Sequence, residues 1–281
     1  MNQANEMILP NGRTANTQGA AKPIAAATAQ QIVWSGNDLE SNGVVGYVAV
    51  FDGATNAFDD VARIRVKSNG VSVWDVDAAH YASYLQRISF SNYAPAAADQ
   101  FVYIPLNILD AATDRLADTC QFPANTQATV ELSMKNTVVA GSAFVGWVKT
   151  AVEPLWYSRF FSSPLNVAGP VTTYTFPFAE QGLIDAFTLN TVGLVKAELW
   201  LSGQLVLNLP GAAFGAAIGD MFRALQIPYN ATTLTNPICQ KVNLGLPAQA
   251  GNSKLVVSAT AGWLATNEFG VHSIVPQVKA A

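Results

Sequence analysis

The chain has 281 residues, enough for one large or two ordinary domains, each with a full core. Half of the residues are hydrophobic and only 12% are charged, against about 25% in an average soluble domain, so much of the neutral surface is expected to face other subunits. A net charge of −4 argues against a sequence-independent nucleic-acid binder, which needs an excess of Lys and Arg, and no apolar run is long enough for a membrane-spanning helix.

Residues 1–31 are rich in Ala, Asn, Gln and Thr and nearly low in complexity from Gln18 to Gln31. Such a stretch buries too little to offset its ordering entropy. It is expected to be a flexible N-terminal arm, ordered only against a neighbour or an underlying surface. The opening residues lack the basic and apolar regions of a secretory signal, so none is expected.

From Ile32 onward, short apolar runs alternate with turn clusters such as Asp52-Gly53 and Asn69-Gly70. Strands are expected near 31–35, 44–51, 61–67, 71–75, 100–109, 127–135 and 143–150. Thr129, Glu131 and Ser133 alternate with Val130, Leu132 and Met134, the pattern of a strand with one wet and one dry face. Val61 to Trp74 reads as a β-hairpin turning at Gly70, and the apolar spacing of Asp77 to Ile88 predicts a helix after it.

Residues 151–164 hold Trp156, Tyr157, Phe160 and Phe161, with Pro154 and Pro164 on either side. Prolines interrupt sheets, and large rings need burial. The segment is expected to be an aromatic linker in which Trp156, Phe160 and Phe161 clamp two domains together. Beyond it, strands are expected near 171–178, 183–190, 194–201, 204–208, 238–246, 253–260 and 269–275. Leu194 to Leu207 repeats the earlier hairpin with Gly203 at its turn, and Pro210 to Met221 repeats the helical spacing. Gly70 and Gly203 lie too far apart for a solenoid or propeller repeat, and their separation is close to the size of a small domain. The chain therefore reads as two similar domains, 32–150 and 165–281. The expected class is all-β, two tandem eight-stranded jelly rolls side by side, each with one short helix after its central hairpin.

Tandem strand, Gly-turn, strand and helix units, joined by the Trp156-Tyr-Ser-Arg-Phe-Phe161 segment and preceded by a polar arm, resemble a known family. The family is the double jelly-roll major capsid proteins of icosahedral viruses with an internal membrane. The chain looks most like the compact corticovirus and finnlakevirus type, and less like the loop-elaborated tectivirus protein or the adenovirus hexon. The resemblance covers about residues 32–281, and Val195 to Gly203 and the linker around Trp156 and Phe160 are its most family-like pieces. It implies a structural virion protein, made in the host cytoplasm, forming a homotrimer whose six jelly rolls make a pseudo-hexagonal tile over a lipid vesicle. Implied partners are neighbouring trimers, penton and minor capsid or membrane proteins, and the underlying membrane through the N-terminal arm or the capsid base, with no direct nucleic-acid contact.

Other chemistries are poorly served. Some relatives bind calcium, but Asp52, Asp59 and Asp60 are typical solvated turn residues rather than converging oxygen ligands. His80 and His272 are too few for a cupin-like metal site, fall in different segments, and are expected to be structural. Cys120 and Cys239 are expected to be two unpaired thiols. A β-sandwich hydrolase would need two facing carboxylates. Glu131 and Glu198 read instead as surface residues, and Glu153, Glu180 and Asp185 as interdomain salt-bridge partners. Trp200, pointing away from Leu199 and Leu201, could serve a carbohydrate-binding or receptor-binding module as a stacking platform, but it is expected to pack at a subunit or domain boundary. The sequon Asn230-Ala-Thr232 is expected to be idle. No cofactor, metal or catalytic residue is assigned.

Overall fold

A computed structural model describes residues 6–9, 12–16, 20–52, 56–88, 98–108, 114–164, 171–175, 182–189, 194–210, 238–241, 247–248, 253–259 and 268–277. The chain divides into two compact units. Unit 1 comprises Met1–Ala78, Pro95–Arg159 and Pro276–Ala281; unit 2 comprises Ala79–Ala94 and Phe160–Val275.

The first half of the chain runs through β1 (Glu6–Ile8), β2 (Thr14–Asn16), β3 (Lys22–Ile24), β4 (Gln30–Ser35), β5 (Val44–Asp52), β6 (Val61–Ser68) and β7 (Val71–Asp77). It continues through helix α1 (Ala78–Ile88), β8 (Phe101–Pro105), the short helix α2 (Asp114–Ala117), β9 (Ala128–Met134), β10 (Gly141–Lys149) and β11 (Trp156–Pro164). In unit 1 one antiparallel sheet has the order β2-β10-β5-β8, with β1 beside β2 and β3 beside β10. A second has the order β7-β6-β9-β4. Alternation decides which residues fill the core. Tyr47, Ala49, Phe51, Val102, Ile104, Ala143 and Val145 are buried on the first sheet, and Trp34, Ile64, Val66, Trp74, Val130 and Leu132 on the second.

At the tip of the β6–β7 hairpin Asn69 and Gly70 have φ of 48° and 81°. Two successive left-handed residues make the two-residue turn whose twist suits a hairpin. Ser68 faces Val71 and Lys67 faces Ser72; Val73 then bulges out, and Val66 faces Trp74.

The described residues within 1–31 differ from the expected arm. β2 and β3 pair with β10, Ile24 is 3% exposed, Trp34 Nε1 donates to the Ala20 carbonyl, and Arg13 grips the buried Asp118 carboxylate with Nε and Nη2 at 2.9 and 2.6 Å. A segment poor in apolar residues is ordered here because the β10 edge supplies backbone hydrogen bonds that need no side-chain pattern. Its order comes from its own domain, not from a neighbour.

The second half comprises β12 (Val171–Thr175), β13 (Gly182–Leu189), β14 (Leu194–Leu201), β15 (Gln204–Pro210), β16 (Ile238–Lys241), β17 (Pro247–Ala248), β18 (Lys254–Ala259) and β19 (Glu268–Pro276). Unit 2 has one sheet in which β16, β13, β19 and β11 follow one another, with β17 also on β13, and another in the order β12-β18-β14-β15. Its hairpin turns at Ser202 and Gly203, with φ of 50° and 79°. Leu201 faces Gln204, Trp200 faces Leu205, Val206 bulges out and Leu199 faces Leu207. Turn and bulge thus match those of unit 1 residue for residue. The match extends across the whole sheet, because the row Trp74–Val66–Val130–Trp34 has the counterpart Leu207–Leu199–Leu255–Tyr174. Each unit is a jelly roll of two facing four-stranded sheets.

The expected linker 151–164 also differs. Pro154 precedes, and Pro164 ends, a continuous strand, β11, so the prolines bound the strand instead of interrupting it. The division between units falls within that strand, at Arg159 and Phe160, and α1 past Ala78 belongs to unit 2, so the boundaries 32–150 and 165–281 give way to interleaved ones. The helix expected after the second hairpin, at 210–221, lies outside the described residues.

Candidate functional site

The residues singled out in β11 have separate surroundings. In unit 1 the Trp156 carbonyl accepts from Gln121 N at 2.9 Å and Gln277 Nε2 at 3.0 Å, and its own N–H donates to the Thr119 carbonyl. Its ring is half-buried. Two residues on, Ser158 Oγ accepts a hydrogen bond from the buried Trp74 Nε1 at 2.9 Å. In unit 2 Phe160 is fully buried, its ring centroid 5.0 Å from that of Tyr84 and 5.7 Å, edge-on, from that of His272, while Phe161 is half-buried. Ser158, Phe160 and Ser162 share the dry face of the strand; of the three rings, Phe160 alone is a core residue.

Around Phe160 lies a buried polar network that sequence spacing did not reveal. His80 Nδ1 and Thr188 Oγ1 are 2.6 Å apart. His272 Nδ1 and Asp185 Oδ2 are 2.8 Å apart, and the Tyr84 hydroxyl lies 3.3 Å from Asp185 Oδ2, with its ring tilted over His272 at 4.3 Å. His80 and Tyr84 stand one turn apart on α1, so one helical face carries both. Asp185 and Thr188 come from β13 and His272 from β19. Gly270 completes the arrangement, since a Cβ there would overlap Thr188 Oγ1 and come within 3.3 Å of His80 Nδ1. Every member is at least 96% buried. Satisfied polar groups in a dry core fix the helix in one position on its sheet, because any slip leaves several of them unpaired. The two histidines, expected to be structural residues in different segments, share one core. Asp185 is buried within unit 2 beside His272 instead of standing at a domain boundary as a salt-bridge partner, because its carboxylate finds its donors inside the fold.

The remaining acids are engaged locally. Asp60 accepts from Thr137 Oγ1 at 2.6 Å and Ala57 N at 3.1 Å, Ser142 Oγ donates to Asp52, and Asp59 is exposed. Among the described residues no group of three His, Cys, Asp or Glu is placed to hold a metal. On the outer face of β7, β6 and β9, Arg63 and Arg65 hold Asp75, and Lys67 holds Glu131, an ion-pair ladder in which Glu131 is only 7% exposed. Glu131 is therefore enclosed by its cations, not freely solvated. Trp200 is half-buried, donates from Nε1 to Glu198 at 3.2 Å and has Lys254 Nζ 5.3 Å from its ring centroid, so one ring face already carries a cation. Glu153 is exposed and Cys120 is a buried thiol. Glu180 and the 230–232 sequon lie outside the described residues, as does the Cys239 side chain.

Comparison with solved structures places this geometry. The chain is similar to the major capsid protein P2 of bacteriophage PM2, at 14% identity over 96% of this chain and 99% of that one, with a TM-score of 0.61. It is also similar to a chain of Sulfolobus Turreted Icosahedral Virus, at 10% identity over 94% and 90% of the two chains and a TM-score of 0.59. A chain of the PBCV-1 virus capsid matches at 10% identity over 98% and 94%, with a TM-score of 0.50. No protein-family model matches the chain, and no curated protein matches its sequence. This chain thus shares its all-β, two-jelly-roll fold with the major capsid protein of bacteriophage PM2.

Proposed function

We propose that the chain is a structural viral capsid protein, working as a homotrimer whose six jelly rolls form a pseudo-hexagonal tile of an icosahedral shell over an internal lipid membrane. The observation that carries this is the duplicated jelly roll, with the same turn, bulge and cross-sheet row in both units, in a fold held in common with the PM2 capsid protein over nearly the whole of both chains. Three copies of a chain with two similar units close a ring of six by one repeated heterologous contact. The low charge content supports extensive lateral contact. In this role the partners are neighbouring trimers, penton and minor capsid or membrane proteins, and the membrane. Membrane contact falls to the base of the tile, since the strands within residues 1–31 are paired inside unit 1. The chain would be made in the host cytoplasm, reside in the virion and carry out no catalysis. Within the tile, β11 carries the chain from one jelly roll to the next.

Negative-stain imaging of the purified protein tests the proposal. Hexagonal or trimeric tiles about 75 Å across are expected, from sandwiches of about 25 Å packed in a ring. Sedimentation as a stable monomer at micromolar concentration would overturn it.

A further inference from the structure

The outer face of the β2-β10-β5-β8 sheet is apolar where that of the opposite sheet is charged. Registers put Phe144, Val50 and Phe101 side by side in one cross-strand row, and Gly146, Val48 and Tyr103 in the next. A third row runs Met7, Ala15, Val148, Gly46 and Pro105 across all five strands. The Tyr103 ring lies flat over Gly46, where a Cβ would meet it at 2.8 Å. Val50, Phe101 and Met7 are 43%, 45% and 56% exposed. No charged side chain enters these rows; Asp52, paired with Ser142, stands at their rim.

We infer that this face of unit 1 is covered by a second copy of the same chain. The inference rests on the capsid proposal and adds the surface used. Three strands, β10, β5 and β8, spaced about 4.8 Å apart, over five residues of about 3.4 Å rise, present roughly 250 Å² in projection. That is the apolar centre, without its polar rim, of an interface that buries about 800 Å² per partner. A small ligand would need a concave pocket, whereas this is a broad sheet face rimmed by one carboxylate. On the opposite face the arginines and lysine are matched to carboxylates.

The test is sedimentation of full-length V50K/F101E beside wild type and the opposite-face control Q31K. Trimers for wild type and Q31K, with at least a ten-fold loss of trimer for V50K/F101E at unchanged thermal melting, are expected. Trimers from all three proteins would overturn the face while leaving the capsid proposal standing; a monomeric wild type that forms no tiles would overturn both. Maleimide labelling of F101C, read by peptide mass against V71C at the hairpin tip, keeps the test sharp should the double variant misfold. Labelling at residue 101 should be at least ten-fold slower in the assembled protein, and equal rates would overturn the inference. Co-flotation of wild type with phosphatidylglycerol vesicles, lost in V50K/F101E, would assign the face to lipid and overturn it too.

Discussion

The four-stranded sheets β7-β6-β9-β4 and β15-β14-β18-β12 have the same strand order, the same left-handed turn residues and the same bulge, yet their outer faces differ in chemistry. In unit 1 the face carries Arg63, Arg65 and Lys67 laced to Asp75 and Glu131; in unit 2 it carries the single pair Lys196–Glu198 and Trp200 beneath Lys254, with Leu205 opposite and 45% exposed. Register is set by the dry face and by turn geometry, since a one-residue slip would put every core residue into water. The outer face carries no such constraint. A duplicated frame can therefore present two different surfaces to its surroundings.

The sharpest way to break the equivalence is at the first strand of each roll. In unit 2 that strand is β11, and Phe160→Ala there removes a fully buried ring packed on Tyr84 and His272. A loss of about 3–5 kcal/mol is expected, as for large aromatic truncations, read by chemical denaturation. Trp156→Ala, at a half-buried ring in the same strand, should cost clearly less. Equal losses would mean that both rings belong to one core.

In unit 1 the first strand is the β2–β3 segment, pinned by Arg13 on Asp118. Arg13→Ala leaves a buried carboxylate without its fork, and breaking such a pair costs about 3 kcal/mol, at the low end here because Arg13 is partly exposed. Deleting residues 1–24 should destabilise unit 1 by at least as much. An unchanged melting temperature on deletion would restore these residues to the status of a free arm.

These two strands were the parts of the fold least legible in the sequence. β4 to β10 and most of β12 to β19 announce themselves by period-two alternation between turn signals, which is how Val130, Leu132 and Met134 separate from Thr129, Glu131 and Ser133; the two-residue β17, Pro247–Ala248, was not among the expected strands. β2 and β3 have three residues each and include Pro23. So short a strand has no period to detect, and its stability comes from the β10 edge it lies on. β11 was hidden by its composition, because its dry face alternates Ser158, Phe160 and Ser162 instead of three aliphatics. The polar core of unit 2 was hidden by separation: Tyr84 and His272 are 188 residues apart, and only the topology that lays α1 on β13 and β19 brings them together. An isolated His on a helix face, followed four residues later by a Tyr, was the one local sign.

A smaller effect is expected at the matched turns. Gly70 and Gly203 have open space where a Cβ would go, but both sit at left-handed φ. Gly70→Ala and Gly203→Ala should each cost about 1–2 kcal/mol, from backbone strain alone. Denaturation of each variant should give equal losses if the turns are equivalent, and a large difference would show that one hairpin tip is held by something further.

The smallest effect separates two ion pairs, one in each unit. Burial by itself would push the Glu40 carboxyl up, but the hydrogen bond from Lys149 Nζ at 2.9 Å, the Ser41 and Asn42 N–H groups and the lysine charge outweigh it and hold the carboxyl below its ordinary value. Glu198 is lowered chiefly by the hydrogen bond from Lys196, then by that from Trp200, on a partly exposed site. A depressed carboxylate contributes stability that is fully present above its unfolded pKa, about 4.3, and is lost as pH falls through the lower folded value. Both pairs should therefore weaken only in the acid range below pH 4.3. Salt should tell them apart, since at about 1 M the screening length shrinks to about 3 Å. In carboxyl NMR titrations Glu198, left with the one neutral donor Trp200 Nε1, should then recover more of its ordinary value than Glu40, which keeps two backbone donors that salt does not displace. Equal recovery of the two would mean that Glu40 is held by charge alone and that its backbone hydrogen bonds are not maintained in solution.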